Sequence, residues 1–184
     1  MSSILENPSV SASALRLDVQ QYHKLCASGI IPERTELLSG VVIEKTGKSP
    51  LHTWTVQFLS DWFEKALAAD QSLRVEQPIT LTDSEPEPDL AIVQGTRDDF
   101  MNQHPTSADL VVEVAITTVE VDRAKAAIYA SAGIPEYWLV QPNERKVTVF
   151  TTVKDESYQS QMAVEQLEFR AESLAFDALF PPAR

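Results

Sequence analysis

Residues 49–69 carry the clearest helical pattern of the chain, because apolar side chains recur there at every third or fourth position. Ser49 is a suitable N-cap, and Pro50 suits the first helical turn, where the N–H that proline lacks would be unpaired anyway. Residues 18–29 predict a shorter helix, which Asp18 can cap. A third helix is predicted over residues 121–133. Its Gly133 is the kind of residue that ends a helix.

Between and after these helices the hydrophobic pattern alternates with a period of two, which indicates strands. A hairpin with a turn at Ser39-Gly40 is predicted over residues 35–45. The further predicted strands are residues 72–81, 88–95, 108–116, 135–142, 145–155 and 157–165. The order of helices and strands predicts a single α/β domain around a mixed sheet flanked by helices. Residues 109–140 should form a parallel strand–helix–strand crossover.

Domain boundaries follow from the ends of this pattern. Residues 1–16 are rich in serine and show no period, so we expect a flexible N-terminal tail. Residues 17–184 form the predicted domain, and residues 174–182 pack as a short terminal segment. No internal repeat or linker divides the chain.

Composition is ordinary for a soluble globular protein, with 43% hydrophobic and 23% charged residues among 184. No apolar run approaches the roughly 20 residues needed to cross a bilayer, and no secretory signal is recognisable. The single cysteine, Cys26, cannot form an internal disulfide, which favours a cytoplasmic location. The net charge of −12 repels nucleic acid at long range, although an acidic protein can hold a local basic groove. The residues that could contribute to one are Arg16, Lys24, Arg34, Lys45, Lys48 and Arg97.

Two carboxylates stand out against apolar surroundings. Glu113 lies in a strand that is otherwise apolar, where an unpaired charge would be costly. Asp89 follows Pro88 at the start of another strand. If the two strands are neighbours, Asp89 and Glu113 can converge at one end of the sheet, and a divalent cation would remove their repulsion. Hard oxygen ligands are what Mg²⁺ prefers.

A lysine follows on the next helix, where Lys125 has Asp122 and Tyr129 as helical neighbours. A positive charge at this point could stabilise developing negative charge or orient a water molecule. Considered without other information, an acid at a strand end is more often solvated and a lone lysine on a helix is more often on the surface. Glu113 is the hardest of the three to explain as a structural residue, because its flanks are so apolar.

Two stretches, "EPEPDLAIV" and "ADLVVEVAITTVEVDRAKAAIYASAGIPEYWLV", resemble the Uma-two family of restriction-endonuclease-like proteins. That family belongs to the PD-(D/E)XK nuclease superfamily. "TELLSGVV" is similar to the opening hairpin of the family, "SPLH" to its helix start, and "AGIPEYWLV" to its most recognisable signature. The resemblance runs from about Glu36 to Phe180 and implies a restriction-endonuclease-like fold.

The resemblance implies metal ligation and catalysis by Asp89 and Glu113. The lysine of the (D/E)XK motif is absent because Ala115 takes its place, and Lys125 matches the position on the next helix to which the family moves it. Glu36 matches an acid that completes the site. His52 matches the family's helix-start histidine, and a lone histidine is more often a structural residue with satisfied hydrogen bonds than a ligand. After Glu113 the segment "VAITTVE" departs from the family's Leu-Ser-Pro-Ser-Thr, which leaves the reach of Lys125 open.

Three functions remain as hypotheses at this point. The leading one is a Mg²⁺-dependent endonuclease that hydrolyses DNA phosphodiester bonds, with Mn²⁺ as a substitute ion. The second is a nuclease-fold protein without catalysis that acts as a binding or assembly module. The third is a metal-dependent hydrolase of a small phosphate ester. The aromatic-rich face of the long helix further predicts a homodimer.

Overall fold

A six-stranded mixed sheet forms the centre of the structure, a computed structural model that describes residue 4 and residues 7–180. In chain order the strands are β1 (Thr35–Leu38), β2 (Val41–Glu44), β3 (Gln71–Val75), β4 (Leu90–Gln94), β5 (Leu110–Val114), β6 (Tyr137–Gln141), β7 (Lys146–Lys154), β8 (Ser157–Val164), β9 (Gln166–Phe169) and β10 (Glu172–Ala175). The central sheet has the order β3-β4-β5-β6-β7-β8, and the two hairpins β1-β2 and β9-β10 stand apart from it. Its only parallel pair, within the described residues, is β5 with β6. The predicted mixed-sheet α/β fold is therefore confirmed.

The helices begin where the sequence provides local signals. They are α1 (Pro8–Ser13), α2 (Val19–Ala27), α3 (Pro50–Phe63), α4 (Val119–Ser131) and α5 (Phe176–Leu179). Ser49 accepts a hydrogen bond from the backbone N–H of His52 at the start of α3. Asp18 and Gln21 form a reciprocal capping box at the start of α2. No helix among the described residues is long and apolar enough to cross a membrane.

Both faces of the central sheet are covered, which explains why its middle strands are apolar on both sides. One face packs against α3, with Leu59 and Phe63 in contact with a cluster that includes Trp138. The opposite face packs against α4, where Tyr129 and Ile134 join a second apolar cluster. Side chains alternate between the two faces along a strand, so Glu113 lies on the α4 face together with Val111 and Ala115.

The structure differs from the sequence-based expectation most clearly at three places. The long helix ends at Phe63 rather than near residue 69. The turn that follows has hydrogen bonds that span three residues instead of four, such as Ala66 N–H to Phe63 C=O. Strand β3 ends at Val75, since Glu76 has a φ of 52° and leaves the extended conformation. Within the expected N-terminal tail, Pro8–Ser13 form the short helix α1, which Asn7 caps and which buries no residue. Residues 1–3, 5 and 6 of that tail, and residues 181–184, lie outside the described part of the chain.

The antiparallel pairing of β4 with β5 decides where the candidate site forms. Leu90 is paired with Val112 and Ala91 with Val111, so the start of β4 lies beside the end of β5. Asp89 immediately precedes β4, and Glu113 lies near the end of β5. The helix that follows β5 returns over the same face of the sheet, which brings Lys125 toward the same end.

Candidate functional site

Asp89 is held in place by two contacts that use different oxygens of its carboxylate. Oδ2 accepts a 2.7 Å hydrogen bond from the backbone N–H of Val114, across the β4-β5 pair. Oδ1 lies 3.0 Å from Nε2 of His52, which α3 supplies from its first turn. The residue is 9% exposed, so the carboxylate sits at the rim of the core rather than in open solvent. These two contacts fix its orientation.

Glu113 and Lys125 form the buried centre of the site. Nζ of Lys125 lies 3.0 Å from Oε1 of Glu113, and the hydroxyl of Tyr129 donates a 2.8 Å hydrogen bond to the same oxygen. Among the described residues, Oε2 of Glu113 has no hydrogen-bond partner. Glu113 is 3% exposed and Lys125 is 4% exposed. A buried charge is therefore present here, and it is paired, as burial requires.

Two further acids share the same lysine. Nζ of Lys125 lies 3.0 Å from Oε1 of Glu36, which comes from strand β1, and 3.6 Å from Oδ1 of Asp122. Oε2 of Glu36 accepts a 3.3 Å hydrogen bond from the backbone N–H of Glu87, and the other oxygen of Asp122 accepts one from the hydroxyl of Thr118. One ammonium group thus faces three carboxyl groups, so acidic groups are in excess at this centre.

The protonation equilibria reflect this crowding. Burial raises the pKa of Glu113 well above its ordinary value, Lys125 opposes that shift, and the nearby acids, including Asp122, reinforce it. Burial also raises the pKa of Asp122, again against the attraction of Lys125. Burial alone would lower the pKa of Lys125, but the acids around it outweigh that effect and raise it above its usual range. Lys125 is therefore a permanent cation in the folded protein.

A second cluster at the rim has the donor atoms of a metal site. His52, Glu76 and Asp89 each offer a ligand atom, and these three atoms lie within 4.8 Å of one another. Nδ1 of His52 is buried and has no hydrogen-bond partner among the described residues. Glu76 is also paired with Lys48 at 2.6 Å. Imidazole is a ligand that suits transition-metal ions such as Zn²⁺ and iron, whereas carboxylate oxygens suit Mg²⁺ and Mn²⁺.

One cavity unites the acids and bases of this region. Its lining includes all five residues predicted from the sequence, namely Glu36, His52, Asp89, Glu113 and Lys125. Lys45 and Lys48 also line it, so two of the six basic residues proposed for a groove do reach the site. Lys45 is paired with Glu87 at 2.7 Å. The catalytic and metal-binding roles of the five residues stay predictions.

Sequence reasoning missed part of this arrangement. Glu76 and Glu87 were not named as site residues. The pattern placed Glu76 inside the predicted strand of residues 72–81, and Glu87 lies in an irregular segment before β4, where periodicity does not predict neighbours. Asp122 and Tyr129 were noted only as helical neighbours of Lys125, although their spacing of three and four residues predicts the shared face that the structure shows.

Comparison with solved structures identifies the class of fold. The chain is similar to a protein from Anabaena variabilis ATCC 29413 described as "a putative nuclease belonging to DUF820", with a TM-score of 0.71 and 15% sequence identity. The match covers 89% of this chain and 97% of that one. At this identity the similarity establishes the fold alone.

The family follows from a family model that matches residues 19–180. The chain belongs to the Uma2 family, which is described as "Putative restriction endonuclease". This confirms the resemblance predicted from the sequence motifs and extends it toward the N-terminus, beyond Glu36. A search of curated proteins finds no match.

Proposed function

We propose that the protein is a Mg²⁺-dependent endonuclease that hydrolyses phosphodiester bonds in DNA. The observation that carries the proposal is the single cavity in which Asp89, Glu113 and Lys125 meet, at the point where β4 begins and β5 ends. Membership of the Uma2 family supports the same reaction class. DNA as the substrate, Mg²⁺ as the ion and cleavage itself belong to the proposal.

The residues present fit a divalent cation. Glu36, Glu113 and Asp122 surround one ammonium group, so the buried centre holds an excess of acidic groups over basic ones. Asp89 adds a fourth carboxylate to the same cavity. A divalent ion bound by Asp89 and Glu113 would offset this excess, and carboxylate oxygens are ligands that both Mg²⁺ and Mn²⁺ accept.

A bound ion would supply Lewis-acid polarisation of the scissile phosphate and a lower pKa for a bound water. The chain's own residues prepare the site for it. The backbone N–H of Val114 orients Asp89, and the hydroxyl of Tyr129 orients Glu113. Lys125 places a permanent positive charge beside Glu113, where it can stabilise negative charge that develops on the phosphate in the transition state.

His52 takes a positioning role in this proposal. Its Nε2 contacts Oδ1 of Asp89, whereas the backbone N–H of Val114 binds Oδ2. With Glu76 it also forms the second set of ligand atoms at the rim, which could hold an additional ion such as Mn²⁺. The observed contact fits a structural histidine and a metal ligand equally. The variant His52→Asn separates the two roles, because only a ligand role predicts weaker binding of Mn²⁺.

An inactive binding or assembly module is the second candidate, and one observation favours it. The carboxylate of Glu113 is already paired with Lys125 and Tyr129, so its charge is satisfied without a metal ion. On this alternative the cluster is a structural ion pair of the kind that buried charges require. Hydrolysis of a small phosphate ester is a third outcome that the same assays would detect with a chromogenic phosphodiester.

The proposed homodimer and the proposed cytoplasmic location rest on separate observations. Trp54 is 41% exposed and stacks on Phe58, and Leu51 of the same helix is 40% exposed. In the proposed homodimer this apolar surface on α3 contacts the second copy, since exposed apolar patches often mark interfaces. Trp62, in contrast, is buried in the core. The lone Cys26 suits a reducing compartment.

The decisive experiment combines metal binding with DNA nicking. Melting curves are recorded with and without Mg²⁺ or Mn²⁺, beside a supercoiled-plasmid assay at low salt, for the wild type and for Asp89→Asn. We expect the wild type to gain thermal stability from the ion and to nick the plasmid, and the variant to lose both effects. Asp61→Asn is a matched control, because Asp61 is exposed on α3 and bonded only to Gln57. A wild type that neither binds the ion nor nicks DNA contradicts the proposal.

A further inference from the structure

Arg74 is a buried arginine without an acidic partner. It lies on β3, beside Ala91 of β4, and is 8% exposed. Among the described residues no carboxylate comes within ion-pair distance of it. This is unusual in a protein with 27 acidic residues and only 15 lysines and arginines. Charged groups that are fully removed from water are almost always paired.

The contacts that Arg74 does make leave most of its donors unused. Nη2 is 3.5 Å from the carbonyl oxygen of Pro78 and 3.2 Å from Nδ1 of His104. The guanidinium carbon lies 5.3 Å from the ring centre of Phe100, a cation–π distance. Nε is buried and has no hydrogen-bond partner among the described residues. A guanidinium has five N–H donors, so this group retains the capacity to bind a planar or tetrahedral oxyanion.

The surroundings of Arg74 form a groove that is separate from the candidate nuclease site. The groove has a volume of about 360 Å³, and Arg97, Gln77 and His104 line it together with Arg74. None of its lining residues also lines the cavity of Asp89 and Glu113. Asp98 is the one carboxylate in the lining, and it is exposed and unpaired with either arginine. The groove thus combines two guanidinium groups, a side-chain amide and an imidazole.

We propose that this groove is an oxyanion site that binds a phosphate group through Arg74 and Arg97. Arg74 supplies a preformed, desolvated guanidinium, for which a bound anion would provide the missing counter-charge. Arg97 supplies a second, exposed guanidinium at the mouth of the groove. The phosphate has two sources with the same chemistry, a free phosphate group or a phosphodiester of the DNA backbone. The site rests on the environment of Arg74 and does not depend on the proposed nuclease activity.

The test measures binding of inorganic phosphate without any divalent ion. Melting curves of the full chain are recorded in EDTA with increasing phosphate, against sodium chloride of equal ionic strength, which separates binding from screening of the net charge. At ten times the dissociation constant, binding should raise the melting temperature by about 3 to 5 °C. Arg97→Gln should weaken phosphate binding at least about fivefold, and Arg74→Gln should abolish it.

Matched variants make the result specific. Arg34→Gln removes the same charge from an exposed arginine outside the groove, and Lys48→Gln removes one from the nuclease cavity, so both should keep the phosphate effect. If Arg74→Gln does not fold, the phosphate titration of Arg97→Gln alone decides the proposal. Arg97 is exposed, so its replacement should leave the fold intact. Absence of a phosphate effect in the wild type, or its persistence in Arg97→Gln, overturns the proposal. A short labelled duplex, titrated in EDTA, identifies the source: weaker binding by Arg97→Gln indicates backbone phosphodiester, and unchanged binding indicates free phosphate.

Discussion

The ammonium group of Lys125 lies 3.0 Å from Oε1 of Glu113, although 12 residues separate them in sequence. The strand β5 carries Glu113 and the following helix α4 carries Lys125, so the pair crosses the layer between sheet and helix. Ala115, which stands two residues after Glu113, is 1% exposed and packs in the core. In the proposed function, Lys125 on the helix above this face would take the place of the lysine that the resemblance leads one to expect at residue 115.

Removal of the positive charge of Lys125 should destabilise the fold. Lys125→Met keeps most of the side-chain volume but leaves Glu36, Glu113 and Asp122 without their shared cation. Loss of one partner from a buried charge cluster costs about 3 to 5 kcal/mol in the free energy of unfolding. Urea denaturation at neutral pH measures this loss. Mg²⁺ should restore part of the stability, because the unpaired carboxylates then attract the ion.

Lys154→Met is the control for this variant, since Lys154 is exposed and its side chain forms no ion pair among the described residues. It should change the free energy of unfolding by less than about 0.5 kcal/mol. A Lys125→Met protein as stable as this control would show that the cluster is already neutral by proton uptake. Retention of full nicking activity by Lys125→Met would remove Lys125 from the proposed mechanism.

Neutralisation of Glu113 should separate activity from stability. Glu113→Gln keeps an oxygen that can accept hydrogen bonds from Lys125 and Tyr129, and Lys125 remains paired with Glu36. We therefore expect the free energy of unfolding to change by less than about 2 kcal/mol. Mutation of a residue that only hydrogen-bonds a metal ligand lowers metal affinity or activity about 10- to 100-fold. Loss of a ligand itself should therefore lower the rate of plasmid nicking at least about 100-fold. A variant that nicks at the wild-type rate would exclude Glu113 as a ligand.

The hydroxyl of Tyr129 should matter for orientation more than for charge. Tyr129→Phe deletes the 2.8 Å hydrogen bond to Glu113 and leaves the ring in its contact with Tyr137. A hydrogen bond to a charged group contributes about 1.5 to 3 kcal/mol, so the melting temperature should fall. Weaker Mg²⁺ binding, measured by calorimetry, should accompany it, because Glu113 then lacks a contact that fixes it. The matched control is Tyr158→Phe, whose hydroxyl bonds the carbonyl oxygen of Ile134 instead. Equal metal affinity of Tyr129→Phe and the wild type would contradict the orienting role.

The sequence was informative where local signals or strand parity decide the structure. Ser49 and Pro50 set the start of α3 by their own chemistry, and Gly133, with a φ of 74°, follows the end of α4 as predicted. Parity alone placed Glu113 on the face of Ala115, and the pairing of β4 with β5 brought Asp89 beside it. These inferences need only the two periods of regular secondary structure.

The remaining contacts depend on segments without period. His23 of α2 lies 2.6 Å from Glu85, which is 62 residues away in a loop, and no local pattern predicts such a pair. Glu76 reaches the rim of the site because its backbone turns out of the strand at a positive φ. Arg74 lies in β3, as the alternating pattern predicts, but that pattern does not predict its burial. The burial results from the contacts of Arg74 with Phe100 and His104. Tertiary contacts between loops decide these positions.

Protonation of His104 should reduce the stability of the protein in mildly acidic solution. Burial lowers the pKa of His104 below its ordinary value of 6.5, and Arg74 and His23 add to this, whereas Glu85 and Glu87 oppose it. Because the folded state then binds the proton more weakly than the unfolded state, the contribution of His104 is present above about pH 6.5 and is lost as the pH falls through the folded pKa. We expect the free energy of unfolding to decrease between about pH 7 and pH 5, and His104→Asn to flatten that decrease. Urea denaturation at several pH values measures both proteins.

His23→Asn is the comparison, since His23 is half exposed and paired with Glu85. An equal pH slope in His104→Asn and the wild type would show that His104 does not titrate in this range.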